Sequence, residues 1–244
     1  LEAGLSRERF HAPDAPAASH VSAGPGGEDA REATLAARPA LQIPEIERPP
    51  REILSGADWS GVISGEEYSF WLLFVELDDM ARYNAHTSDA YTSRVVKSFR
   101  EHLLSETERY GGHIWMWKQF SGLLLFPYDG ERCMPIVPLF RLFMNRVIAN
   151  VEHYQLKNLV SYRMALHLGN TTYQDAGSTG DVVSADVNFI FHLGTKHTRP
   201  AELTVTRTAL SFVPPGLQQY FVDRGVFEEH QTYGMRRINF GFGE

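Results

Sequence analysis

Between Tyr110 and Phe126 the chain reads Tyr-Gly-Gly-His-Ile-Trp-Met-Trp-Lys-Gln-Phe-Ser-Gly-Leu-Leu-Leu-Phe. The glycine pair stops a helical pattern, because a helix ends most readily at a residue that tolerates the left-handed region. Two short apolar runs follow, His113 to Trp117 and Gly122 to Phe126, with a turn over Lys118 to Ser121. They predict an antiparallel hairpin, which needs a third strand or a helix over its apolar face to be stable in water. Tyr68 to Leu77 is an apolar, aromatic run of the kind buried in a central strand. Between the two, Asp89 to Tyr110 places Tyr91, Val95, Val96, Phe99, Leu103 and Leu104 on one helical stripe.

The alternation continues. Pro135 or Pro138 opens a helix through Val151 to about Gln155, and Val160 to Leu168 reads as a strand ending at Gly169. Ala185 to Gly194 forms a short helix, Glu202 to Thr206 a strand, and Gly225 to Glu229 with Met235 to Phe240 a last antiparallel pair. No internal repeat is present. The order β-α-β-β-α-β, then α-β and a hairpin, predicts an α+β fold: a ferredoxin-like βαββαβ core with C-terminal αβ and β-hairpin additions.

The first 50 residues differ from the rest. They hold seven of the chain's 13 prolines and one aromatic, Phe10. Such a segment buries too little apolar surface to offset its ordering entropy, so residues 1–50 read as a flexible linker and 51–244 as the domain. Within the linker, Ile43 to Pro50 can lie extended against the domain or dock a neighbour. Net charge is −7, which removes the bulk electrostatic basis for nucleic-acid binding. A lone cysteine, Cys133, excludes an internal disulfide and suits a reducing compartment. No run reaches 18 apolar residues, so no membrane span is expected. The initial Leu suggests a fragment with an upstream region missing; on these grounds a cytoplasmic location is expected.

The strand Phe74-Val75-Glu76-Leu77-Asp78-Asp79-Met80 followed by the Gly111 to Phe126 hairpin resembles the first half of a class III nucleotidyl (adenylate/guanylate) cyclase domain. That family carries F-x-D-I-x-x-F on the strand and G-G-x-x-x-K-x-x-G-D-x-x-x-x-x-F on the hairpin. The resemblance continues: Arg163 to Gly169 is similar to R-x-G-I-H-x-G, Asp181 to Leu193 to D-x-x-G-x-x-V-N-x-A-x-R-L, and Ala201 to Thr206 to G-x-I-x-V-S. It covers Phe70 to Ile238. A rival resemblance, to the diguanylate cyclases, rests on Phe74 to Asn84. That family's name-giving motif would fall on Lys118 to Gly122, which keeps none of it.

The resemblance implies a chemistry that can be checked position by position. Cyclisation of a nucleoside triphosphate uses two divalent ions held by two carboxylates. The first position carries Glu76, one methylene longer than the family's Asp. The second carries Phe120, which cannot ligate Mg²⁺. The base-reading Lys corresponds to Met116, the base-reading Asp to Asp181, the ribose-orienting Asn to Asn188, and the transition-state Arg to His192. Histidine cannot make a bidentate fork to phosphate. Asp181 and Asn188 equally suit turn or helix-cap roles. Glu76 with Asp79 is the substitute metal site to consider. In the family these groups meet across a dimer interface, and alternation along the hairpin puts Trp115 and Trp117 on one face, suited to core or interface packing.

No H-E-x-x-H, phosphate-loop or nucleophile-elbow motif occurs. Asn170-Thr171-Thr172 fits a glycosylation triplet in a loop after a strand. The expected function is a catalytically degenerate cyclase-like domain acting in intracellular signalling as a homodimer, a heterodimer or a partner-binding module, with no cofactor. Two alternatives stand beside it. One is an active nucleotidyl cyclase using Mg²⁺ or Mn²⁺ through a rebuilt site or a heterodimeric partner. The other is a sensor that binds ATP or GTP without turnover.

Overall fold

A strand whose residues are apolar on both faces has to lie inside a sheet covered on both sides, and β1, Glu67–Leu77, does so. Phe70 through Val75 are each fully buried. The computed structural model describes residues 59–78, 80, 88–150, 160–175 and 184–235. The expected linker over 1–50, Asp79 and Asp181 lie outside the described residues.

After β1 come α1 (Asp89–Thr107), the hairpin β2 (His113–Lys118) and β3 (Ser121–Pro127), α2 (Ile136–Met144), α3 (Arg146–Ala149) and β4 (Tyr162–Thr172). Then follow α4 (Ala185–His192), a π-helical turn Leu193–His197, β5 (Leu203–Thr206), α5 (Arg207–Ser211), α6 (Pro215–Gln218), β6 (Phe221–Phe227) and β7 (His230–Met235). The seven strands form one sheet in the order β2-β3-β1-β4-β5-β7-β6. β4 and β5 are parallel, and the other neighbours are antiparallel. The first four strands with their helices are the expected ferredoxin-like core.

Two apolar layers sandwich the sheet. Trp71, Leu73, Val75 and Leu77 of β1 join Val95, Phe99 and Leu103 of α1 and Leu139 and Leu142 of α2. Phe70, Leu72 and Phe74, pointing the other way as strand geometry requires, join Val187, Phe189 and Ile190 of α4. α1 is capped by Ser88, whose hydroxyl accepts from the Tyr91 amide. Its 3-10 extension over Glu108–Tyr110 ends at Gly111 with φ 81°. Gly112 is needed for a different reason: a Cβ there would lie 2.6 Å from the Phe126 ring. No described helix is long and apolar enough to cross a membrane.

Three expectations are corrected. The long helix from Pro135 breaks at Asn145 (φ −85°, ψ 5°) into α2 and α3. Asn150 then donates to the Arg146 and Val160 carbonyls, tying α3 to the approach of β4. β4 runs past Gly169 to Thr172, because its full length pairs with β1. The described terminal hairpin is β6 with β7, earlier in sequence than expected; of the expected second strand Met235 to Phe240, all but Met235 lies outside the described residues. Its turn is Glu228–Glu229, with φ 44° and 69°, which favours Gly or Asn and gives no turn signal in this sequence.

Candidate functional site

The C-terminal end of β1 meets the β2–β3 turn and the start of β4. Antiparallel register sets Glu76 opposite Ser121 on one side and Arg163 on the other. Arg163 grips Glu76 with two nitrogens, Nε at 2.8 Å and Nη2 at 2.7 Å from Oε2. Its Nε also lies 3.6 Å from Asp78 Oδ1. Asp78 itself is buried and serves the fold: Oδ2 accepts from the Ser161 hydroxyl and the Ala201 amide, each at 2.8 Å. The expected first metal ligand is thus already neutralised by a guanidinium across the strand.

Phe120 sits in the turn between β2 and β3, and its carbonyl accepts from the Leu77 amide at 3.0 Å. Its ring packs on the α1–α2 side of the sheet and walls a groove of about 620 Å³ with Thr92, Val96, Arg100, Leu104 and Gln119. Glu76 lies on the opposite, α4 side, set by its alternation with Val75. No second carboxylate therefore faces Glu76 from the hairpin. Among the described residues, no group of three or more His, Cys, Asp or Glu converges as a metal site. These residues do not fit a two-ion clamp. The substitute pair of Glu76 with Asp79 falls partly outside the described residues.

Trp115 and Trp117 are not on one face. Ile114 pairs with Leu124 and Met116 with Leu123, so a β-bulge at Trp115 inserts one extra residue. Trp115 and Met116 then both face the α4 side, while Trp117 packs on the α1 side. Trp115 is 5% exposed and donates its indole N–H to the Gln174 carbonyl at 2.7 Å. It belongs to the α4-side core of its own domain. Trp117 is half-buried, lies under Arg100 with the guanidinium 5.3 Å from the ring centre, and donates to the Gln119 carbonyl.

α4 brings the second-half residues to the same side as Glu76 and Met116. Ser184 caps it, accepting from the Val187 amide, and its hydroxyl donates to the Asn170 carbonyl. Asn188 is exposed and performs no cap role. His192 at the helix end meets Glu228 of the β6–β7 turn, Nδ1 to Oε1 at 2.9 Å. The imidazole is thus engaged within its own domain. Asn170 lies inside β4 with its side chain accepting from Ser69, a strand position and not the expected loop. Arg163 and Asp78 were not singled out from sequence as site residues. Both signals were present, in the arginine that opens its motif and in the acidic pair following Leu77, but the strand register that joins them was not.

No family profile matches the sequence, and no curated relative does. Solved structures do match in shape. The guanylyl cyclase Cya2 superposes with TM-score 0.60 at 12% identity, over 74% of this chain and 98% of its own. The guanylyl cyclase domain of the RhoGC fusion protein from the aquatic fungus Blastocladiella emersonii gives 0.56 at 13%, over 71% and 98%. The adenylyl cyclase CyaB from P. aeruginosa gives 0.56 at 14%, over 73% and 98%. At these identities what is shared is the fold, that of a nucleotidyl cyclase catalytic domain.

Proposed function

Starting from that fold, we propose that the chain is a cyclase-like domain without cyclase chemistry, acting in signalling by pairing with a second copy or a related domain. The observation that carries the reading is the pair of positions Glu76 and Phe120. The first carboxylate is held by Arg163, and the second position carries a phenyl ring turned to the other face of the sheet. A divalent ion such as Mg²⁺ needs several oxygen ligands in near-octahedral array, and this arrangement supplies too few. Met116, a thioether with no N–H or O–H, offers no donor to a base, and it packs against the α4-side apolar layer. His192 replaces a permanently charged guanidinium with an imidazole engaged by Glu228.

A second reading, nucleotide binding without turnover, is favoured by Asn188, which stays exposed on α4. Incubating the full chain with ATP or GTP and Mn²⁺, with products read by mass spectrometry, tests the first reading. Cyclic nucleotide formed in proportion to protein would overturn it. Calorimetric titration of the same nucleotides decides the second: binding heat without product supports it, and its absence with both nucleotides removes it.

A further inference from the structure

Four histidines gather where the β6–β7 hairpin tip docks on α4 and the π-helical turn. His230, at the start of β7, packs against Phe189 of α4 with ring centres 4.2 Å apart and the planes tilted by 41°. It meets the edge of His167, from β4, at 5.2 Å. His167 is buried, with Nδ1 3.1 Å from the Thr206 hydroxyl and Nε2 3.7 Å from Asp186 Oδ1. Asp186 Oδ2 accepts from the Asn170 amide at 2.6 Å. On the other side of the hairpin, His197 stacks on Phe227 at 4.9 Å and its Nε2 lies 2.9 Å from the Thr232 hydroxyl. His192 and Glu228 close the rim with an exposed contact.

We propose that this hairpin tip is a proton-sensitive clasp, docked on α4 and the π-helical turn when His230 and His197 are neutral and released when they are protonated. The packing of the rings supports it. His230 is wedged between an aromatic ring and a second imidazole, with Asp186 as the one carboxylate on the strand and helix facing it; Glu228 and Glu229 approach only from its own turn. Burial, then His167, pulls the His230 pKa down, against Asp186, Glu229 and Glu228. Burial likewise lowers His197, opposed by Glu202 and reinforced by Arg199 and Arg224. For Asp186 burial alone would raise the carboxyl, but the facing His167 and the Asn170 amide outweigh it, so the net direction is down and the group stays ionised.

The sign follows from linkage. A histidine whose docked pKa lies below its ordinary 6.5 binds protons more readily once undocked. Docking is therefore complete above that pH and weakens as pH falls below it. The turn is easily surrendered, since Glu228 and Glu229 both hold left-handed backbone that favours glycine.

Hydrogen exchange on the full chain at pH 7.5 and pH 5.0, corrected for intrinsic rates, tests the clasp. Protection of α4 and β6–β7 amides should fall about tenfold or more relative to the β1 and β3 amides, because the undocked form binds a proton that the docked form disfavours. In His230→Phe, which keeps an aromatic ring against Phe189 and loses the proton, the fall should be under about threefold. If core amides show that this variant does not fold, His230→Gln takes its place with the same expectation. Equal protection ratios at the two pH values in the parent, or an undiminished fall in the folded variant, overturn the proposal.

Discussion

Trp115 and Trp117 stand two residues apart on one strand and point to opposite faces of the sheet. The bulge between the Ile114–Leu124 and Met116–Leu123 pairs reverses the alternation. The two indoles therefore do different work. Trp115 completes the α4-side core, and Trp117 covers the α1 side beneath Arg100.

That difference sets the first expectation. Trp115→Ala should destabilise the domain by about 3–5 kcal/mol, as deletion of a buried aromatic does. Trp117→Ala, at a half-exposed site, should cost about 1–2 kcal/mol. Urea unfolding of both variants checks this, and equal losses would mean the bulge is misplaced.

Neither the parent nor Phe120→Asp should make cyclic nucleotide above the blank. The substitution supplies one carboxylate, but Glu76 remains gripped by Arg163, and His192 and Met116 leave phosphate and base without donors. Groups that act as a unit recover little when repaired singly. Turnover by the parent that disappears in Glu76→Ala would show the degenerate reading to be wrong.

Arg163→Met should destabilise by about 2–4 kcal/mol, because it leaves Glu76 and the buried Asp78 facing one another with the guanidinium gone. In the double variant with Glu76→Gln most of that loss should return. A cycle of chemical-denaturation midpoints measures the coupling. Additive losses would show the pair to be electrostatically idle.

Gly194→Ala should be disruptive out of proportion to one methyl. Its Cβ would fall 2.0 Å from Cδ1 of Phe74, a fully buried ring with no room to swing. A loss of about 2–4 kcal/mol is expected. Phe74→Leu in the same chain should relieve part of it, and thermal melts of the three variants decide. A single variant as stable as the parent would contradict this close approach of the π-helical turn to β1.

Buried Cys133, whose thiol is pushed well up by burial, should resist alkylation in the native state. Labelling by iodoacetamide at pH 8 should be about 100-fold slower than in urea, on the scale of protection a buried site enjoys. Comparable native and unfolded rates, read by mass spectrometry, would place the thiol at the surface.

Sequence by itself determined the elements whose signal is local. Continuous apolarity announced Tyr68 to Leu77 as a doubly covered strand, a 3.6-residue stripe announced α1, and Gly111-Gly112 announced its end. The order of those elements was enough for the ferredoxin-like core, and the shape matches bear it out. That Phe120, and not a carboxylate, stands in the hairpin turn was likewise readable, since it concerns only which side chain is there. The tertiary structure decided the rest. The bulge at Trp115 carries no glycine or proline to mark it; it exists because β2 must keep both Ile114 and Met116 in register with β3. The grip of Arg163 on Glu76 joins residues 87 apart in sequence, and the Asp78 contact to Ala201 spans 123. Contacts of that reach follow from strand register, which is set by the burial of whole faces at once and has no local sign in the residues that use it.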